Sequence, residues 1–204
     1  FNSGSNPTGI LYSQKEIAAF LEFAERHELW ILSDEVYSGL VYDELSYASC
    51  ATPEKTRSRV AVIQSASKTF GMTGWRLGFL FGPEDLIRSC EALQSQILTS
   101  TSVVSQWAGV SAFAQANQIT GVIRSAMQER RDLFYKELEK GLGVKLTRPS
   151  SAFYAFFPLS LFGETQLNDV VWCSKLLKEA HVAAVPGSPF GRPDHIRMSL
   201  GERP

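Results

Sequence analysis

Three short apolar runs, none of which alternates with polar residues, constrain the fold most strongly. They are LWILS at residues 29–33, VAVIQ at 60–64 and LGFLFG at 77–82. Unalternated runs of this length are typical of strands buried on both faces, and helical or loop segments separate them. The sequence therefore predicts an α/β fold with a mostly parallel sheet.

Apolar residues at helical spacing predict four helices in the first 142 residues. Ser13 followed by Glu16 forms a capping box ahead of such a pattern, which predicts a helix over residues 14–28. Further helices are predicted over residues 84–98, 103–117 and 119–142. The last of these is long and highly charged.

The remaining chain has the pattern of a small α+β unit. Strands are predicted over 153–158, 182–186 and 195–199, and a helix over 167–180. We expect residues 1–125 to be the C-terminal part of a large domain and residues 126–204 to be most of a smaller one. The boundary then lies inside the long helix.

Composition excludes several classes of partner. The chain has 20 Lys and Arg against 21 Asp and Glu, so its net charge of −1 offers no basic surface for nucleic acid or an anionic membrane. Its apolar runs are far shorter than the ~20 residues of a membrane span. The three cysteines are widely spaced and match neither a disulfide framework nor a metal cluster, which indicates a reducing, cytoplasmic location and no metal site.

Two cations in the stretch SASKTFGMTGWRLG need an anionic partner. Lys68 and Arg76 lie between two predicted strands, and no acidic residue occurs between Gln64 and Gly82. A desolvated lysine can attack a carbonyl, while an arginine fork with a neighbouring hydroxyl, here Ser65, suits a phosphate. We therefore predict a phosphorylated ligand that bears an aldehyde.

Three further features fit the same edge of the sheet but are weak when taken singly. Asp34 follows LWILS, where open α/β sheets bind ligands, although an acid there also serves as a helix cap. Tyr37 could reach the same pocket or simply pack in the core. The segment NPTG, Asn6 to Gly9, is also ordinary turn sequence.

Taken together, these motifs resemble a known family. NPTG, SDEVY (33–37), SASKTFGMTGWRLG (65–78), VPGSPFG (185–191) and HIRMS (195–199) stand in the order and approximate spacing of class I/II aminotransferases of fold type I. The resemblance runs through nearly all of the chain. It implies a pyridoxal 5′-phosphate cofactor, amino-acid and 2-oxo-acid substrates, and a homodimer.

The resemblance implies a role for each residue that meets the cofactor ring. Lys68 would hold the cofactor as an aldimine and then move the proton between the substrate and cofactor carbons. Asp34 would pair with the pyridinium nitrogen. Tyr37 and Asn6 would donate hydrogen bonds to the phenolic oxygen and so lower the pKa of the imine.

The other implied contacts concern the phosphate and the substrate. Ser65 and Arg76 would bind the cofactor phosphate, with Ser67 as a helper. Arg197 would bind the substrate α-carboxylate bidentately, with Asn6 beside it, and thereby fix the orientation of the substrate.

The chain departs from the family pattern in three respects. Its 204 residues are few for two complete domains and a cofactor site, so we expect a fragment that binds cofactor poorly and is inactive alone. Where the family usually has a glycine before its aromatic pair, this chain has Ser151-Ala152-Phe153-Tyr154. No Lys or Arg occurs between Glu91 and Arg124, where one subgroup carries the arginine that binds a side-chain carboxylate.

Three functions remain open at this point. The main hypothesis is an aminotransferase that moves an amino group between an L-amino acid and a 2-oxo acid. A C–S lyase that catalyses β-elimination would use the same site. An aminotransferase-like effector domain of a transcription regulator would carry a DNA-binding module before residue 1.

Overall fold

The computed structural model of the chain describes residues 1–51, 58–164, 166 and 168–201. The helices are α1 (Gln14–Arg26), α2 (Ala66–Thr69), α3 (Glu84–Ile97), α4 (Val103–Ala114), α5 (Ala116–Leu142) and α6 (Asp169–Ala180). The strands are β1 (Ile31–Asp34), β2 (Val60–Ser65), β3 (Gly78–Phe81), β4 (Tyr154–Pro158), β5 (Val185–Pro186) and β6 (His195–Ser199). Within these ranges no helix has the length and hydropathy of a membrane span.

The predicted helices and strands are confirmed in type, and most differences lie at their ends. Gln115 separates α4 from α5, so the helix predicted to reach residue 117 ends at Ala114. The predicted start of the last helix at residue 167 lies outside the described residues. The one-turn helix α2 was not predicted, because four residues are too few to establish a helical period.

The first sheet has the order β1-β2-β3. The strands β1 and β2 are parallel, as predicted, whereas β3 runs antiparallel to β2. The direction reverses because the segment after β2 folds back on itself, and the amide of Ala66 donates to the carbonyl of Leu77 at 3.1 Å. The described part of the sheet thus contains one parallel and one antiparallel strand pair.

Helix α1 covers one face of this sheet. Its first turn has the predicted capping box, in which the Ser13 amide donates to the Glu16 carboxylate at 2.8 Å. Ile17 and Leu21 are buried against a core that includes Ile31 of β1 and residues of β2. Full burial of each such side chain stabilises the fold by about 1.5–3 kcal/mol.

The opposite side of the sheet is only partly covered. Leu32 in β1 and Phe81 in β3 are each 56% exposed, so the expectation that these strands are buried on both faces is wrong within the described chain. Because successive side chains in a strand point to opposite faces, Leu32 faces away from α1 while Ile31 packs under it. Among the described residues, no element covers Leu32 as fully as α1 covers Ile31.

The second sheet has the order β4-β6-β5 and is antiparallel throughout. Its core contains Ala155 and Phe157 of β4 and Ile196 of β6, packed against Tyr135 of α5 and Cys173 of α6. This arrangement is the α+β unit that the sequence predicts. The domain boundary between residues 125 and 126 falls within α5 and stays a prediction.

Two short segments join the part of the chain around the first sheet to the part around the second. Residues 40–42 pair with residues 150–152 through an isolated antiparallel bridge between Val41 and Ser151. The Tyr42 amide donates to Ser150 O, and the Ala152 amide donates to Leu40 O, both at 3.0 Å. The Ser151 hydroxyl donates a third hydrogen bond across the junction, to Leu40 O at 2.8 Å. The side chain of this serine therefore strengthens the bridge.

A buried arginine supports this junction. The side chain of Arg131 in α5 is 2% exposed and forms a bidentate ion pair with Asp43, with N–O distances of 2.7 and 2.8 Å. It also donates to Pro149 O at 3.0 Å, contacts Asp132, and lies over the ring of Tyr42. A single guanidinium thus ties α5 to both segments of the junction.

We predict that Asp43→Asn lowers the free energy of unfolding by about 1–2 kcal/mol, because a charge-assisted bidentate pair is lost while Asp132 still partners the arginine. The hydrogen bonds from Arg131 lower the pKa of the Asp43 carboxyl from its ordinary 3.8. Its stabilisation is therefore complete at neutral pH and disappears as the pH falls through that lowered pKa.

Urea unfolding at several pH values measures this difference. Glu44→Gln is a matched control, since Glu44 is adjacent and exposed and makes no ion pair with any described residue. An Asp43→Asn variant as stable as the wild type at pH 7 would contradict the prediction.

Candidate active site

The parallel pairing of β1 and β2 brings their carboxyl ends to one edge of the sheet. Asp34 is the last residue of β1 and pairs with Ile63 of β2, while Ser65 ends β2 and caps α2, which contains Lys68. The turn after β1 carries Tyr37. These four side chains reach the same edge because parallel strands end at the same side of a sheet.

The N-terminal segment is held across this edge. The Asp34 amide donates to Phe1 O at 2.9 Å, and the Asn2 side chain donates to Asp34 O at 2.6 Å. Asn2 also accepts from the Asn6 amide at 3.1 Å. Gly9 has φ +66° and lies against Pro149, where a side chain would collide, so the NPTG turn is fitted closely to the junction.

Tyr37 is buried between elements of both parts of the chain. Its hydroxyl oxygen lies 2.9 Å from that of Tyr154 in β4. Burial and then the contact with Tyr154 raise the pKa of Tyr37 well above its ordinary value, and the negative charge of Asp34 adds to the effect. Tyr37 therefore keeps its proton at neutral pH and can donate a hydrogen bond.

Arg197 of β6 lies between two aromatic rings. Its guanidinium carbon is 4.4 Å from the ring centre of Tyr154 and 5.1 Å from that of Phe190. Nη1 donates to the Asn6 side chain at 2.7 Å, whereas the buried Nε has no hydrogen-bond acceptor among the described residues. A buried donor without an acceptor indicates a place for an anionic ligand atom.

The side chain of Lys68 lies near a third aromatic ring of the site, that of Phe153. Its Nζ is 5.4 Å from the ring centre of Phe153, which in turn packs edge-on against Tyr37 at a centroid distance of 5.8 Å. A cleft of about 290 Å³ beside Lys68 is also lined by Ser67 and Ser199. The Phe153 ring is thus a common neighbour of Lys68 and Tyr37.

The predicted phosphate ligands share an open cleft of about 480 Å³. Ser65, Ser67 and Arg76 line it, and no carboxylate is among its described lining residues. Ser65 Oγ accepts from the Ser67 amide at 3.1 Å and donates to Leu77 O at 3.3 Å. Arg76 is exposed and donates to Thr73 O at 3.1 Å, so its positive charge is not neutralised within the cleft.

The structure therefore brings the sequence-predicted residues into three adjoining groups. Tyr154 links Tyr37 to Arg197, which donates to Asn6, and Asp34 is close to Tyr37. Ser65, Ser67 and Arg76 share a cleft, and Ser67 also lines the cleft of Lys68.

Sequence reasoning assigned no role to three aromatic residues of this site. Phe153, Tyr154 and Phe190 each contact a predicted site residue directly. The signal that could have identified them is their position in aromatic segments beside the motif residues, FYAFFP at 153–158 and VPGSPFG at 185–191.

Comparison with known proteins agrees with the motifs. The family "aminotransferase class I and II" matches residues 1–203. The aspartate/prephenate aminotransferase of Cereibacter sphaeroides is 36% identical over 98% of this chain and 52% of its own length. The asparagine–oxo-acid transaminase of Streptococcus mutans is 35% identical over 97% of this chain and 51% of its own.

Solved structures give the same result. The aspartate aminotransferase of Thermus thermophilus, solved with maleate, superposes with a TM-score of 0.89 at 33% identity over 100% of this chain and 52% of that one. An aromatic aminotransferase from Pyrococcus horikoshii gives a TM-score of 0.90 at 32% identity, over 99% and 54%. The chain thus spans about half the length of the relatives it matches.

Family match, sequence identity and superposition agree over nearly the whole chain, and the edge of the sheet carries the family's motif residues: the chain belongs to the class I and II aminotransferases.

Proposed function

We propose that the protein containing this chain is an aminotransferase that moves an amino group between an L-amino acid and a 2-oxo acid with pyridoxal 5′-phosphate. One observation carries the proposal. Asp34 ends β1, Tyr37 lies in the turn after it and Lys68 lies in the helix after β2, all at the carboxyl edge of the sheet, and Arg76 and Arg197 add two cationic groups. Proteins of this family generally depend on that cofactor.

The residues present fit the cofactor. The cleft of Ser65, Ser67 and Arg76 has a positive charge without a lining carboxylate, which suits a phosphate. Asp34 would pair with the ring nitrogen and Tyr37 with the phenolic oxygen. Lys68 would hold the carbonyl carbon. When bound, the cofactor supplies an electron sink for the carbanion formed at the substrate carbon.

The chain's own residues then have distinct tasks. The carboxylate of Asp34 keeps a proton on the ring nitrogen, and the high pKa of Tyr37, raised by burial, keeps its hydroxyl a donor. Lys68, once displaced by the incoming amine, carries the proton to and from the substrate carbon as a general acid and base.

Arg197 would bind the α-carboxylate of the substrate. Its Nε lacks an acceptor among the described residues, and the Asn6 contact fixes the other end of the guanidinium. The rings of Tyr154 and Phe190 lie against the guanidinium and reduce its contact with water, which strengthens its interaction with an anion. Asn6 would lie beside both cofactor and substrate.

The assembly and location follow as parts of the same proposal. A homodimer is supported by α4, whose Val104 and Trp107 are 68% and 70% exposed, since an apolar helix face of this kind is usually covered by protein. The division into residues 1–125 and 126–204 is consistent with the two sheets. Three free cysteines support the cytoplasmic location.

Lys68→Ala tests the proposed chemistry. The wild-type protein is expressed from its complete coding sequence. We expect an amino acid to convert its bound pyridoxal phosphate to the pyridoxamine form, and a 2-oxo acid to restore the pyridoxal form. Turnover should fall at least about 10³-fold in Lys68→Ala, since general acid–base catalysis alone contributes ~10²–10⁴-fold. Absorption spectra recorded with a panel of amino acids measure the cofactor conversion and the turnover, and they identify the amino donor.

Lys175→Ala is the matched control, because Lys175 is an exposed lysine on α6. Wild-type turnover in Lys68→Ala would contradict the role of Lys68. Bound cofactor that no amino acid converts to the pyridoxamine form would contradict the aminotransferase itself.

Arg197→Lys tests the substrate contact separately. A lysine keeps the charge but loses the bidentate fork, so we expect KM for the amino donor to rise about 10–100-fold, equivalent to ~1.5–3 kcal/mol, with a smaller change in kcat. Arg192→Lys is the control, since Arg192 is exposed and pairs only with Asp194 among the described residues. Steady-state kinetics that leave KM unchanged would rule out Arg197 as the carboxylate ligand.

A further inference from the structure

Tyr154 contacts both ends of the candidate site, yet the motifs give it no role and the proposed function uses only its ring, as a neighbour of Arg197. It is the first residue of β4 and is 6% exposed. Its hydroxyl meets Tyr37, the proposed ligand of the cofactor's phenolic oxygen, and its ring meets Arg197, the proposed ligand of the substrate carboxylate. One side chain therefore joins two groups that act on different molecules.

The hydroxyl contact gives Tyr154 influence over Tyr37. The two oxygens are 2.9 Å apart, and either can donate. When the Tyr37 proton is directed at an external acceptor, the Tyr37 oxygen is free to accept from Tyr154. A hydroxyl that accepts a hydrogen bond becomes a stronger donor, because bonds in a chain polarise one another.

The ring contact gives Tyr154 influence over Arg197. The guanidinium carbon is 4.4 Å from the ring centre, and Phe190 lies 5.1 Å away. An aromatic face attracts a cation at this distance and restricts its rotation. The Tyr154 ring thereby limits the orientations that the Arg197 guanidinium can adopt.

Tyr154 is itself held rigidly enough to act in this way. It pairs with Ser199 in the second sheet, and two residues before it the Ala152 amide donates to Leu40 O while the Ala152 carbonyl accepts from the Tyr42 hydroxyl. Its ring also meets the Tyr37 ring edge-on, with centroids 5.8 Å apart and planes at 79°. Both of its contacts are therefore fixed by the junction between the two sheets.

We propose that Tyr154 is a positioning residue that couples the two ends of the site: its hydroxyl donates to Tyr37 and strengthens the hydrogen bond to the cofactor's phenolic oxygen, while its ring orients Arg197 for the substrate carboxylate. This inference rests on the proposed function. It separates into a hydroxyl effect and a ring effect, which two substitutions distinguish.

The surroundings of Tyr37 define what the hydroxyl effect should do to a pH titration. The charged and titratable groups that act on Tyr37 are Asp34, Tyr154 and Arg197, and Lys68 lies beyond Phe153. A weaker donor at the phenolic oxygen stabilises its negative charge less, so the protonated form of the bound cofactor is favoured. Removing the Tyr154 hydroxyl should therefore move the titration of the bound cofactor to higher pH.

Tyr154→Phe and Tyr154→Leu provide the test, with the protein expressed from its complete coding sequence and loaded with pyridoxal phosphate. In Tyr154→Phe we expect the midpoint of the cofactor's absorption change to rise by about half to one pH unit, because one hydrogen bond is lost. The competitive inhibition constant of propionate should change less than about twofold, since the ring remains. In Tyr154→Leu we expect the same shift and a propionate constant raised about 3–10-fold.

Tyr135→Phe is the matched control, because Tyr135 is equally buried, lies in the core of the second sheet, and should leave both readings at wild-type values. A Tyr154→Phe protein that titrates like the wild type would overturn the coupling to Tyr37, and an unchanged propionate constant in Tyr154→Leu would overturn the coupling to Arg197. A wild-type protein that acquires no cofactor absorption would overturn the proposed function, and this inference with it.

Discussion

The junction between residues 40–42 and 150–152 is the contact on which the site depends. Tyr37 and Lys68 belong to the part of the chain around the first sheet, whereas Tyr154 and Arg197 belong to the second sheet. The backbone bridge, the Ser151 hydroxyl and the Arg131 fork fix the distance between these groups. Since a displacement of about 1 Å can reduce catalysis ~10²-fold, the stability of this junction is a functional requirement.

The sequence was sufficient to predict those parts of the site that depend on local order. Asp34 and Lys68 each follow an apolar run, and parallel strands end at a common edge, so their placement at one edge of the sheet follows from the run pattern alone. The positive charge of Arg76 was also predictable from the sequence. Its sequence segment has no acidic residue, and the described residues that line its cleft include none either. The capping box at Ser13 fixed the start of α1 within one residue.

Features that depend on distant residues were not predictable in this way. The reversed direction of β3 is set by the bond between Ala66 and Leu77, which no periodicity encodes. Tyr154 meets Tyr37 across 117 positions, and a buried tyrosine hydroxyl has the same sequence signature whether or not it finds such a partner. Ser151 was visible as a departure from the family pattern, but its acceptor at Leu40 appears only once the two segments are paired.

The aromatic walls around Arg197 have a consequence for the thermodynamics of binding. A mobile arginine side chain carries about 2 kcal/mol of rotamer entropy, which is lost when a ligand immobilises it. Tyr154, Phe190 and Asn6 already confine the guanidinium, so most of this ordering occurs during folding rather than on binding. Carboxylate binding at Arg197 should therefore have a smaller entropic penalty than binding at an exposed arginine such as Arg192. Less of the favourable binding enthalpy is then offset by side-chain ordering, and more of it contributes to affinity.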